Sequence, residues 1–215
     1  IISTLNSEEN NEEILKLREK NFPLVLLERY GQDIESCCNV RLDNSKASEM
    51  AVDYLCQMGH RKIAFVGGPR DAYNSRLRYQ GYLNGLEKNG LAADEKLIVC
   101  ADYQYEKSVA ETKKLAESQE FTALIAANDL MCVGACKALA KLKKKIPQDI
   151  SVVGLDNTAY LELYQPSLTA VSFRALEMGK CAAKCVKKQI DGEILKKKEY
   201  SFMPAIKIGK SSRIL

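Results

Sequence analysis

Apolar and polar positions along the chain switch repeatedly between two periods. Stretches with apolar residues three and four apart predict helices at 8–20, 44–58, 75–89, 106–118, 128–143 and 175–190, because that spacing lines one helix face. Between them lie short, nearly continuous apolar runs: PLVLLE at 23–28, RKIAFV at 61–66, KLIVC at 96–100, TALIA at 122–126 and ISVVG at 150–154. A run that is apolar on both faces suits a strand buried between two helical layers. Shorter extended pieces are expected at 39–42 and 167–172, with a strand-like tail at 200–208. The end signals agree: Ser7 is placed to cap the first helix, and Gly59 and Gly90 to stop the helices before them.

Strands alternating with helices over the whole chain predict an α/β fold with parallel sheets and crossover helices. The 215 residues carry more such units than one small sheet needs, which points to two lobes. In open parallel sheets, ligands bind at the carboxyl ends of the strands. Nearly every strand here ends in a hydrogen-bonding or aromatic residue. Glu28 and Arg29 follow PLVLLE's apolar run, Asp43 follows 39–42, and the loop 67–78 follows RKIAFV. Asp102 and Tyr103 follow KLIVC, Asn128 and Asp129 follow TALIA, Asp156 and Asn157 follow ISVVG, and Phe173 follows 167–172.

Charge and chemistry narrow the function classes. A net charge of +4, from 32 basic and 28 acidic residues, is too mild to demand a nucleic-acid partner for this segment. No apolar run approaches the ~20 residues a membrane helix needs, so no membrane partner is expected. The eight cysteines sit mostly inside apolar stretches, which fits reduced thiols in a cytoplasmic protein better than a disulfide frame. Cys132/Cys136 and Cys181/Cys185 each fall four apart on a helix, but no further ligands are spaced to complete a metal site. His60 is the single histidine and there is no nucleophile elbow, so no serine triad can be assembled. Neither a cofactor, a metal nor an enzymatic activity is expected.

Five stretches together resemble the lactose-repressor (LacI) family of transcriptional regulators and the related sugar-binding proteins of the periplasmic binding protein type 1 superfamily. They are VRLDNSKASEMAVDYLCQMGHRKIAFVGGP (40–69), SRLRYQGYLNGLEKNG (75–90), TALIAANDLMCVGACKAL (122–139), PQDISVVGLDN (147–157) and PSLTAVSFRALEMGKCAA (166–183). The resemblance implies two Rossmann-like lobes. Residues 1–43 plus 172–198 would form the N-terminal lobe, and 44–171 plus 199–215 the C-terminal one, with a small effector in the cleft between them. It also makes sense of the opening Ile1-Ile2-Ser3, which starts in mid-pattern: the first lobe is expected to be truncated here, with a DNA-binding helix-turn-helix upstream of this sequence.

By the same resemblance, seven residues are expected to bind the ligand. Arg78, in Arg78-Tyr79-Gln80-Gly81-Tyr82, matches an R-x-x-G-aromatic motif whose arginine aims its donors at ligand oxygens; a surface arginine is the alternative. Asp156 can accept two sugar hydroxyls at once, and Asn128 offers a donor and an acceptor; either could instead cap a helix. Tyr103 matches an aromatic that stacks on an apolar ligand face. Phe173 stands where the family often has a polar amide, a departure that hints at a more apolar or stacked ligand; core packing is the alternative. Glu28 and Asp43 complete the set, with a purely structural role open for Asp43. The expected function is a homodimeric effector-binding core, with a sugar as effector, that couples cleft closure to operator DNA affinity. A solute-binding protein of a transport system has the same fold and is the rival reading; an enzyme using the cleft is a second.

Overall fold

The computed structural model describes residues 1–3, 11–29, 37–156, 161 and 164–215. The expected cap Ser7, the first residues of the 8–20 helix and Asn157 lie outside the described residues. The chain divides into two compact units: Ile1–Asp43 with Arg174–Met203, and Asn44–Phe173 with Pro204–Leu215.

Among the described residues the first unit is built on a three-stranded parallel sheet. Its order is β1 (Val25–Leu27), β2 (Cys38–Leu42), β8 (Glu199–Phe202). Helix α1 (Asn11–Glu19) contributes Ile14 to a small core with Leu24, Leu26 and Cys37, against which Ile2 packs. Helix α6 (Ala175–Ile190) packs on β1 and β2. Its buried residues Met178, Ala182 and Cys185 recur at helical spacing, so one face is apolar. One turn on, Gln189 locks the helix to the sheet: its Oε1 accepts from the Leu24 amide at 2.9 Å and its Nε2 donates to the Leu24 carbonyl at 3.0 Å.

Among the described residues the second unit holds a six-stranded sheet in the order β4-β3-β5-β6-β7-β9. The strands are β3 (Ile63–Gly67), β4 (Ile98–Cys100), β5 (Ala123–Ala126), β6 (Ser151–Asp156), β7 (Thr169–Ser172) and β9 (Ala205–Lys207). All neighbours pair in parallel except β7 and β9, which are antiparallel. The central strands β3 and β5 are buried at every residue, as their continuous apolar runs require. Helices α2 (Asn44–Gln57) and α3 (Tyr73–Lys88) pack on each other, as do α4 (Tyr105–Ser118) and α5 (Asp129–Lys141).

Two expectations change. The strand-like tail over 200–208 resolves into two strands. β8 joins the first unit by pairing with β2, and β9 joins the second by pairing with β7. The last crossing therefore falls between Met203 and Pro204, not before Glu199. The second sheet, expected to be parallel, also carries one antiparallel edge strand: the chain leaves β7, passes through α6 and β8 in the first unit, and returns as β9 running against β7. At the other end of the sheet, buried His60 joins three segments. Its Nδ1 lies 2.9 Å from Thr122 Oγ1, and its Nε2 lies 3.0 Å from Ser151 Oγ and 3.2 Å from the Arg213 carbonyl oxygen.

Candidate effector-binding site

Strand order in the second unit reverses at β3 and β5. From β3 the chain passes through α3 to β4 on one side; from β5 it passes through α5 to β6 on the other. Helices leaving adjacent strands in opposite directions open a crevice at the strands' carboxyl ends, the usual place for a ligand in an open α/β sheet. Five of the seven expected residues belong to this unit: Arg78, Tyr103, Asn128, Asp156 and Phe173.

Arg78 organises the cluster. It lies on α3 and is 4% exposed, so each of its donors needs an acceptor. Nε donates to Asn44 Oδ1 at 2.8 Å, Nη1 to the Ala127 carbonyl, and Nη2 lies 2.7 Å from Asp156 Oδ1. One planar guanidinium thus ties together the start of α2, the end of β5 and the end of β6. The fork expected to face a ligand is, for at least these three donors, turned onto protein acceptors. What it presents to the crevice is the half-buried carboxylate of Asp156, held in place. Burial pushes that carboxyl above its usual range, and the Arg78 charge pulls it back only in part.

The glycine of the R-x-x-G pattern has a steric cause. A Cβ on Gly81 would lie 2.0 Å from the Ser45 carbonyl oxygen. Only glycine lets α3 come close enough to the first turn of α2 for Arg78 to reach Asn44.

Backbone strain gathers at the strand ends. Asp156 has φ +114°, and Glu28, Asp102 and Tyr103 also have positive φ. Such conformations are uncommon for residues with a Cβ and cluster where side chains must be aimed. The Asp156 carbonyl accepts from the Phe173 amide at 2.8 Å, which sets Phe173 beside it. Tyr103 is half-buried; burial raises its phenol, while Arg78 and a hydrogen bond with Ser75 oppose the rise. Its ring occupies the space beside Gly68, where a Cβ would come within 2.4 Å of Cε1 and Cζ.

Asn128 serves as the N-cap of α5: its Oδ1 accepts from the Met131 amide at 2.8 Å. The capping alternative is therefore realised, and the amide nitrogen is what it has left to offer a ligand. Glu28 and Asp43 lie in the first unit. Buried Glu28 accepts from the Leu42 amide through Oε1, and its own amide donates to Val40 at 3.0 Å. Asp43 ends the first unit, its amide donating to the Phe202 carbonyl at 3.0 Å.

Sequence reasoning did not single out Asn44, Ser75 or Gly68. Asn44 had a legible signal: it follows a strand end and opens a helix, as Asn128 does. Gly68 and Ser75 fell inside the strand-end loop 67–78 already flagged, but nothing in the sequence singled them out, because their roles come from Tyr103, which is distant in sequence. Among the described residues no three His, Cys, Asp or Glu side chains are placed to hold a metal, and no helix is long and apolar enough to cross a membrane. The eight cysteines are all unpaired, six of them buried.

Residues 52–212 match the model of the periplasmic binding protein-like domain. The chain belongs to this family, in the branch formed by the cores of LacI-family regulators. It is 32% identical over 164 residues to the HTH-type transcriptional regulator CelR of Thermobifida fusca, covering 76% of this chain and 48% of that protein. Among solved structures it is similar to a CelR–cellobiose complex, with TM-score 0.88 and 28% identity over 98% of this chain and 64% of that one. It is also similar to a sugar-binding LacI-family regulator from Escherichia coli complexed with phosphate, with TM-score 0.86 and 27% identity over the whole of this chain and 77% of that one. The chain spans about half the length of the curated relatives it matches. These relatives are transcriptional regulators, which favours the regulator reading of this LacI-family core over the transport one.

Proposed function

We propose that this LacI-family core binds a small polyhydroxylated effector, a sugar, at the carboxyl ends of its strands, and that no catalysis is involved. The observation that carries the reading is the Asp156 carboxylate, fixed by Arg78 at the carboxyl end of β6, the strand next to the reversal point, and beside Phe173. An ionised carboxylate accepts from two vicinal hydroxyls, and the nearby aromatics offer flat faces for the C–H side of a sugar ring. The Asn128 amide nitrogen adds a donor, and Glu28 and Asp43 would contribute from the first unit. A ligand that bonds to both units favours a closed arrangement by its differential affinity.

In a cytoplasmic homodimer, that closure would alter operator affinity through a helix-turn-helix outside the 215 residues. The HTH-type relatives support this part of the reading. Calorimetry against a panel of mono- and disaccharides tests it. A saturable sugar should bind, and Asp156→Asn should weaken it at least tenfold while the protein stays folded. A hit whose affinity is untouched by Asp156→Asn, and equally by Tyr103→Ala, would remove the assigned site. Sedimentation of the protein with and without that sugar tests the dimer.

A further inference from the structure

A second concavity lies in the same unit, away from the Arg78 cluster. It is a cavity of about 450 Å³ between the first turns of α3 and the edge strand β4. That volume falls within the range of small-molecule sites, which begins near 300 Å³. Arg78, Asn128 and Asp156 are not in its wall; it meets the surroundings of Tyr103 at Gly68 and Ser75.

Its lining has two chemistries. The floor is apolar: Phe65, Ile98 and Val99, with the Tyr79 ring tilted at 46° to Phe65 and 6.2 Å from it. The rim is cationic. Arg70 and Arg76 face it, and neither has a carboxylate partner among the described residues. Arg76 donates to the Asp71 carbonyl at 2.6 Å and lies over the Tyr73 ring at 5.4 Å, which leaves its charge uncompensated. Among the described residues the one acid in the wall is Glu95, which accepts from the Tyr79 hydroxyl at 3.1 Å. Two guanidiniums therefore stand against one engaged carboxylate.

We propose that this groove is a second ligand site, and that it takes a small aromatic carboxylate. The ring would lie on the Phe65–Ile98 floor, whose side chains share one face of the sheet, and the carboxylate would take the paired donors of Arg70 or Arg76, a geometry planar guanidinium favours. The proposal does not depend on what binds near Asp156.

Benzoate is the probe, with benzamide as its uncharged isostere. Benzoate is expected to bind saturably by calorimetry, at least fivefold tighter than benzamide. The Arg70→Ala/Arg76→Ala double variant, which alters exposed side chains only, is expected to weaken it at least fivefold without lowering the melting temperature. Ile98→Phe, which enlarges the side chain paired with Phe65 on the same face of the sheet, should abolish it. Cys100 lines the cavity and gives a local readout: benzoate should slow its alkylation by iodoacetamide and leave that of Cys181, the other half-buried thiol, unchanged. Absence of saturable binding, benzamide binding as tightly, an undiminished affinity in the double variant, or an unprotected Cys100 would each overturn the site.

Discussion

The phenol ring of Tyr103 fills the space that a side chain on Gly68 would need: a Cβ there would sit 2.4 Å from the ring. The two residues come from different loops, after β4 and β3, and the contact fixes where the aromatic wall stands. Gly68→Ala should push the ring aside, lowering both stability and sugar affinity. Tyr103→Ala should relieve the clash. A double-mutant cycle on urea unfolding is expected to show a coupling of about 0.5–3 kcal/mol, the range for residues in contact. Additive effects would mean that the ring moves away without cost.

Removing one member of a buried ion pair leaves the other uncompensated. Arg78→Ala also removes the donors that meet the Asn44 Oδ1 and Ala127 carbonyl acceptors. The expected loss is about 3–5 kcal/mol in equilibrium unfolding. Arg78→Lys should recover little of it, since an ammonium cannot meet three acceptors in one plane.

Gly81→Ala acts on the same network from the outside. Its methyl would meet the backbone of Ser45, which cannot turn away as a side chain could. A cost of about 1–3 kcal/mol is expected from the overpacking, measured as a lowered unfolding midpoint.

Asn128 allows capping to be separated from ligand contact. Asn128→Ala should cost about 0.5–2 kcal/mol by removing the bond to Met131. Asn128→Ser keeps a capping oxygen and loses the amide donor. Near-normal stability with sugar affinity reduced at least fivefold would assign Asn128 to the ligand; unchanged affinity would leave it a cap alone.

Burial holds the His60 imidazole below its ordinary value of 6.5. The unfolded chain therefore takes up the proton more readily than the folded one. Stability should be undiminished above pH 6.5 and decline as the pH falls from there toward the folded value, by at most about 1.4 kcal/mol per pH unit. His60→Asn should flatten this part of the stability profile. Because His60 is the only histidine, the difference between the two proteins isolates its titration.

Local physics is enough for much of this molecule. The continuous apolar runs at 61–66, 122–126 and 150–154 had to become buried strands, because leaving both faces in water would forfeit the burial that drives folding. The 3.6-residue spacing had to become helices between them, and a parallel order follows from the alternation. The polar residues at the strand ends were legible for the same reason. What each does there was not. Whether Arg78 faces a ligand or Asp156, whether Asn128 spends its oxygen on Met131, and whether the tail closes one sheet or both depend on which groups meet across dozens of residues. Periodicity records only which face of an element is buried. The acceptor that faces a buried guanidinium is set by how helices and strands pack, and only the assembled fold specifies that.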